Sequence, residues 1–137
     1  GEEGELVIRA ICEDRSGRLW VGTESGLFHY DPDKGLSERF VHDALNARSL
    51  GSNAVMALLY DSQQRLWIAT RQGLDRYDER TGAFVHALQE AGAPASVARA
   101  DVERLYLDEN GVLWLGTIGA GTSEMRRLII AREIFKI

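Results

Sequence analysis

The stretch Asp14-Arg15-Ser16-Gly17-Arg18-Leu19-Trp20-Val21-Gly22-Thr23 returns as Asp61-Ser62-Gln63-Gln64-Arg65-Leu66-Trp67-Ile68-Ala69-Thr70. It returns again as Asp108-Glu109-Asn110-Gly111-Val112-Leu113-Trp114-Leu115-Gly116-Thr117. Trp20, Trp67 and Trp114 are the three tryptophans of the chain, and each stands 47 residues from the next. A fixed period of this size marks a repeat architecture. The frame runs on: Gly26-Leu27 and Tyr30-Asp31 match Gly73-Leu74 and Tyr77-Asp78. Upstream, Val7 to Ile11 matches Val55 to Leu59 and Val102 to Tyr106.

Each unit reads as short strands. Val7 to Cys12 is an apolar, β-branched run, and Asp14 to Gly17 supplies turn residues. Leu19 to Thr23, Leu27 to Tyr30 and Leu36 to His42 are further runs, separated by Glu24-Ser25-Gly26 and by Asp31 to Gly35. Four antiparallel strands in ~40–50 residues make one blade of a β-propeller. Helical repeats need longer segments of 3.6 periodicity than these turns allow. The expectation is an all-β partial propeller of two to three four-stranded blades, ending in a C-terminal α-helix. Residues 1–5 form a tail, 6–53 the first repeat and 54–100 the second. Residues 101–118 hold the first two strands of a third repeat, and 119–137 a helical tail. The Ala-rich segment from Gln89 to Arg99 leaves room for a helical turn.

The repeated residues have structural reasons. Trp20, Trp67 and Trp114 offer large apolar surfaces for packing between blades. Gly22 and Gly116 permit close approach, with Ala69 as the tolerated variant. Asp14, Asp61 and Asp108 cap the following turn, while Gly17 and Gly111 take positive φ. Gln64 stands where the second unit should have glycine, so that turn is less favourable.

Composition bounds the rest. The 137 residues are 45% hydrophobic and 27% charged, with a net charge of −5, which argues against a general nucleic-acid binder. No apolar run approaches the ~18 residues of a membrane span. The chain opens on Gly1 without a signal-peptide pattern, so it reads as processed or cut from something longer. The lone Cys12 forms no internal disulfide and reads as a small core residue, its thiol disfavoured by Glu13 and Asp14. His29, His42 and His86 read as structural or surface residues. The His42-Asp43 pair has no G-x-S-x-G elbow to serve. The three turn aspartates offer too few oxygens each for calcium, and Gly119-x-Gly121 is too short for a dinucleotide fingerprint. No catalytic, cofactor-binding or metal-binding residue emerges.

After Thr117 the frame breaks. Thr122 or Ser123 can cap a helix, with Glu124 in its first turn. Met125, Leu128, Ile129, Ile130, Ile134 and Phe135 would form its apolar face, and Arg126, Arg127, Arg132, Glu133 and Lys136 its solvated one.

The D-x-x-G-x-L-W-x-G-T, G-L-x-x-Y-D and Thr81-Gly82-Ala83-Phe84 elements resemble the two-component regulator propeller repeat over residues 6–118. The linker from His42 to Asn53 is similar to that family's inter-repeat segment. The segment from Gln89 to Ala100 departs from it. The resemblance implies a periplasmic, non-enzymatic ligand-sensing role, with a carbohydrate as one ligand class, and it transfers no ligand-contact residue. Residues 118–135 resemble the C-terminal segment of acyl-CoA dehydrogenases, with Ala120 where many members carry the catalytic Glu. That resemblance implies an inactive remnant or fusion without flavin. Three readings therefore stand: a sensor propeller segment, a dehydrogenase-like remnant, and a structural or non-functional fragment. Open blade edges imply self-association.

Overall fold

The computed structural model describes residues 6–119 and 122–128, with side chains over 6–118. The first sheet is β1 (Ile8–Glu13), β2 (Leu19–Thr23), β3 (Gly26–Asp31) and β4 (Leu36–Phe40), in sequential antiparallel order. The second repeats it with β5 (Val55–Tyr60), β6 (Leu66–Thr70), β7 (Gly73–Asp78) and β8 (Ala83–His86). The third holds β9 (Asp101–Leu107), β10 (Leu113–Gly119) and β11 (Thr122–Leu128), in the order β11-β10-β9. Two one-turn helices, α1 (Ala87–Glu90) and α2 (Ala95–Ala98), occupy the second linker; α2 lies within the Ala-rich segment expected to allow a turn, and α1 begins ahead of it.

The sheets stack through their first strands, β1 beside β5 and β5 beside β9. Two apolar layers result. Between the first and second sheets lie Trp20, Leu27, Leu50, Val55, Leu66, Ile68 and Phe84. Between the second and third lie Trp67, Ala69, Leu74, Val102, Leu113 and Leu115, with Ala87 and Leu88 of α1 closing the side. The period-2 alternation of β6 feeds both layers: Leu66 and Ile68 face one way, Trp67 and Ala69 the other. All five residues of β6 are buried, as a central sheet requires.

Each first strand carries a bulge at the same frame position. The register shifts between Ile8 and Ala10, between Val55 and Ala57, and opposite Gly116 and Thr117. The extra residue is therefore Arg9, Met56 and Glu103 in turn. A bulge bends its strand and leaves one residue out of the ladder.

Two expectations are corrected. The third unit has three strands, not two, and Thr122–Leu128 is a strand rather than the start of a helix. It pairs with β10 from Gly119↔Thr122 to Leu113↔Leu128. The reason is the edge of β10: its backbone N–H and C=O groups need partners, and pairing them outweighs the local helix propensity of Glu124-Met125-Arg126-Arg127. The remainder of the expected helix, residues 129–137, lies outside the described residues. Trp20 and Trp67 are buried, at 2% and 0% exposure. Trp114, expected to be buried like them, is half-buried, because no further sheet covers its face among the described residues.

Candidate functional site

The two ends of the stack differ in construction. One end carries the turns after the first strand of every sheet. Asp14 Oδ1 accepts the backbone N–H groups of Ser16 and Arg18 at 2.9 and 3.0 Å. Asp61 Oδ1 does the same for Gln63 and Arg65, and Asp108 Oδ1 for Asn110 and Val112. Gly17 and Gly111 have φ of 86° and 79°. Gln64, at the equivalent place, is forced to φ 63° and is the sole non-glycine at positive φ among the described residues.

The second carboxylate oxygen ties each turn to its own blade. Asp61 Oδ2 accepts the Trp67 indole N–H at 2.8 Å, and Asp108 Oδ2 accepts that of Trp114 at 2.9 Å. The first blade breaks this pattern. Asp14 Oδ2 instead meets His29 Nε2 at 2.8 Å. His29 lies flat on Trp20, ring centroids 3.9 Å apart and planes 7° from parallel. Trp20 is released to donate its indole N–H to the Tyr60 hydroxyl of the next blade at 2.9 Å. Burial, opposed by that hydrogen bond, pushes the Tyr60 phenol up to about 12. Burial and then Asp14 likewise raise the Cys12 thiol, which sits half-buried beside this layer. Gly22 abuts the second blade: a Cβ there would lie 2.6 Å from Val55 Cγ1. Gly116 lies on the open side of the third sheet, where a Cβ would meet Arg104 within its own sheet. Among these residues Asp14, Asp61, Asp108, Gly17 and Gly111 lie in turns, and Trp20, Trp67 and Gly22 lie against a neighbouring blade.

The other end gathers the inter-blade linkers and the β2–β3 and β6–β7 hairpins around an open cavity of about 700 Å³. Its walls include Glu24, Asn53, Gln72, Asp75, His86 and Arg99. Asp75 and His86 face each other across the β7–β8 ladder. Asp75, 2% exposed, accepts His86 Nδ1–H at 2.7 Å and the backbone N–H of Gly51 at 2.7 Å. His86 Nε2 donates to the Ala47 carbonyl at 2.9 Å. A carboxylate and a carbonyl only accept, so both contacts together require a doubly protonated imidazolium. The Asp75 hydrogen bond accordingly raises the His86 pKa, against the opposing effect of burial. This pair clamps the linker from Ala47 to Gly51 onto the second blade. His42 Nδ1 adds a bond to the Leu50 carbonyl at 2.8 Å.

The bulged residues near this end carry charge unevenly. Arg9 donates to Glu24, Met56 is buried, and the Glu103 carboxyl is raised by the neighbouring Asp101 carboxyl and by burial. No group of three or more His, Cys, Asp or Glu with metal-binding geometry occurs among the described residues. The cavity wall carries acidic, basic and amide side chains with small alanines between them.

The clamp was not legible as a site. Reading the Thr81-Gly82 turn as a hairpin and counting back pairs Tyr77 with Phe84 and Asp75 with His86. That count is the signal in the chain that finds it.

These features define an all-β partial propeller. The two component regulator propeller family pattern matches residues 2–25 and 49–72. No curated protein matches the chain in sequence. Among solved structures, the extracellular domain assigned to a hybrid two component system from B. thetaiotaomicron is similar with a TM-score of 0.55. It is 16% identical over 89% of this chain and 30% of that one. PorZ, a surface component of the type-IX secretion system of Porphyromonas gingivalis, is similar with a TM-score of 0.61. It is 21% identical over 88% of this chain and 17% of that one. Virginiamycin B lyase from Staphylococcus aureus is similar with a TM-score of 0.52, 15% identical over 87% of this chain and 40% of that one. The chain therefore spans less than half the length of each, and the likeness is one of fold. No helix among the described residues is long and apolar enough to cross a membrane.

Proposed function

We propose that the chain is a non-catalytic propeller segment of an extracytoplasmic, two-component-type sensor, and that its ligand contacts lie at the linker end. The observation that carries this reading is the Asp–Trp blade frame, matched by the regulator propeller pattern in two of its three copies. An extracellular sensor domain with the same fold supports the compartment. The linker-end cavity supports a polar ligand, and family resemblance favours a carbohydrate. Self-association covers the open ends of the stack. The chain holds no flavin under this reading. The dehydrogenase-like remnant would need a helix from Thr122, where β11 stands instead over Thr122–Leu128.

Titration calorimetry of the purified chain against a panel of plant and host oligosaccharides tests the proposal. Binding by one class, weakened at least tenfold by Gln72→Ala with Arg99→Ala, is the expected result. Binding that ignores both substitutions, or no binding across the panel, would overturn the ligand assignment. A flavin absorbance band in the purified protein would overturn the non-catalytic one.

A further inference from the structure

Two blades use the same ladder position in different ways. Phe28 faces Arg39 across β3 and β4, and one repeat later Asp75 faces His86 across β7 and β8. In both blades the residue on the fourth strand is a cation that ties down a loop. Arg39 donates to the Ser25 carbonyl from Nε and Nη2 at 3.1 and 2.8 Å, with its guanidinium 5.8 Å from the centre of the Phe28 ring. That cation does not titrate. His86 holds the Ala47 carbonyl at 2.9 Å, and its charge does titrate.

The number of acceptors separates His86 from the other two histidines. His42 meets the Leu50 carbonyl through Nδ1, and His29 meets Asp14 through Nε2. A neutral imidazole carries one N–H, which is enough for one acceptor. His86 meets two, Asp75 at Nδ1 and Ala47 at Nε2. Loss of one proton therefore breaks one of these bonds, and the partners are unequal. Asp75 is a buried carboxylate, and leaving it without that donor costs more than returning the carbonyl of the exposed Ala47 to water. The Ala47 bond is the one given up.

We propose that His86 is a proton-controlled latch on the cavity wall: as imidazolium it holds Asp43 to Ala47 against the second blade, and as neutral imidazole it keeps Asp75 and lets that stretch go. Asp43, Ala44, Asn46 and Ala47 all line the cavity. Their turn is bonded within the linker itself, Asn46 N–H to the Asp43 carbonyl and Ser49 N–H to the Asn46 carbonyl. Two further bonds do not depend on the proton, Phe84 N–H to the Arg48 carbonyl and Gly51 N–H to Asp75. They keep Arg48 to Gly51 in place, so the release stops there. The charged groups that share a cavity wall with the imidazole are Asp75 and Asp78 of β7, Glu90 of α1, Asp43 and Arg48 of the linker, and Arg99 beyond α2. The Asp75 hydrogen bond favours the imidazolium, while burial and Arg99 oppose it. The latch follows from the bonding; any effect on ligand affinity rests on the reading that ligands bind at the linker end.

NMR of the 137-residue chain on both sides of the imidazole midpoint, with no ligand present, is the test. The Ala47 carbonyl carbon should shift with the midpoint of the His86 ring. Above that midpoint the amide order parameters of Ala44, Asn46 and Ala47 should fall from about 0.85 toward about 0.6, while those of Gly51 and Phe84 hold. His86→Gln should show the low values at every pH. Should that variant fail to fold, coincidence of the linker and imidazole midpoints in the wild type decides the assignment. Order parameters that stay level through the titration, a fall with a different midpoint, or a fall that still tracks pH in His86→Gln would overturn the proposal. Because no ligand is used, none of these outcomes depends on the ligand reading.

Discussion

Trp20 and Tyr60 are hydrogen-bonded across the boundary between the first and second blades, indole N–H to phenol oxygen, at 2.9 Å. The equivalent indoles of Trp67 and Trp114 stay within their own blades, on Asp61 and Asp108. His29 makes the difference by taking the oxygen of Asp14 that the indole would otherwise use. The first boundary therefore holds a polar lock inside an aromatic layer of Trp20, Phe40, Tyr77 and Phe84.

Tyr60→Phe should cost about 1–2 kcal/mol, since it leaves the buried Trp20 N–H without its acceptor. A double-mutant cycle with Trp20→Phe should give a coupling of at least ~0.5 kcal/mol. In the wild type, the native phenol pKa of about 12 lies above the ordinary 10. The native state then holds more protons between those values, so stability should fall as pH rises through them. Denaturant titrations at a series of alkaline pH values, with Tyr60→Phe as the control, check both claims.

Trp67→Ala should cost on the order of 3–5 kcal/mol, because the side chain is fully buried between the second and third sheets. Urea unfolding measures it. A loss under about 1 kcal/mol would remove Trp67 from the core.

Gln64→Gly should stabilise the chain by about 1 kcal/mol, by relieving a left-handed backbone at φ 63°. The shift in thermal midpoint reads it directly, and Gly111→Gln should lower the midpoint by a similar amount.

Gly22→Ala should destabilise by about 1–3 kcal/mol, since the new methyl would sit 2.6 Å from Val55 Cγ1. Val55→Ala removes that atom. The double variant should therefore lose less than the sum of the single losses, and equal additivity would show that the blades do not meet there.

His86 sets a pH dependence of defined sign. Its folded pKa lies above the ordinary 6.5, mainly through the hydrogen bond to Asp75. The native state binds the extra proton, so this stabilisation is complete below about 6.5 and is lost as pH rises through the folded value. His86→Gln should flatten the stability profile across that window. NMR titration of the imidazole gives the folded pKa itself.

The blades were legible because the Asp turn and the Trp recur in a fixed frame, with Gly or Ala two residues after the Trp, and each is fixed by local chemistry. Gln64 was legible as a misfit for the same reason. The tail was not. Thr122 to Leu128 has helix-compatible residues, and its strand exists because β10 offers an open ladder, a tertiary demand that local propensity does not contain. The Asp75–His86 clamp was missed because 11 residues separate the pair, and hairpin pairing, not proximity in the chain, brings them together. The His29 substitution of the Asp14–Trp20 bond was missed because the Asp and Trp match the frame while the competitor lies on the next strand.

The bulge at Arg9, Met56 and Glu103 separates two kinds of selection. The residue outside the ladder is released from the cross-strand pairing that holds its neighbours. The three repeats have filled it with a cation, a thioether and an acid, while the flanking strand residues Ile8, Val55 and Val102 stay β-branched. Each blade thus owns one slot outside the ladder whose side chain answers to its surroundings instead of to the pairing: a cation where Arg9 is exposed, an apolar thioether where Met56 is buried. The same bulge, repeated along the stack, therefore gives each blade its own character at one fixed place.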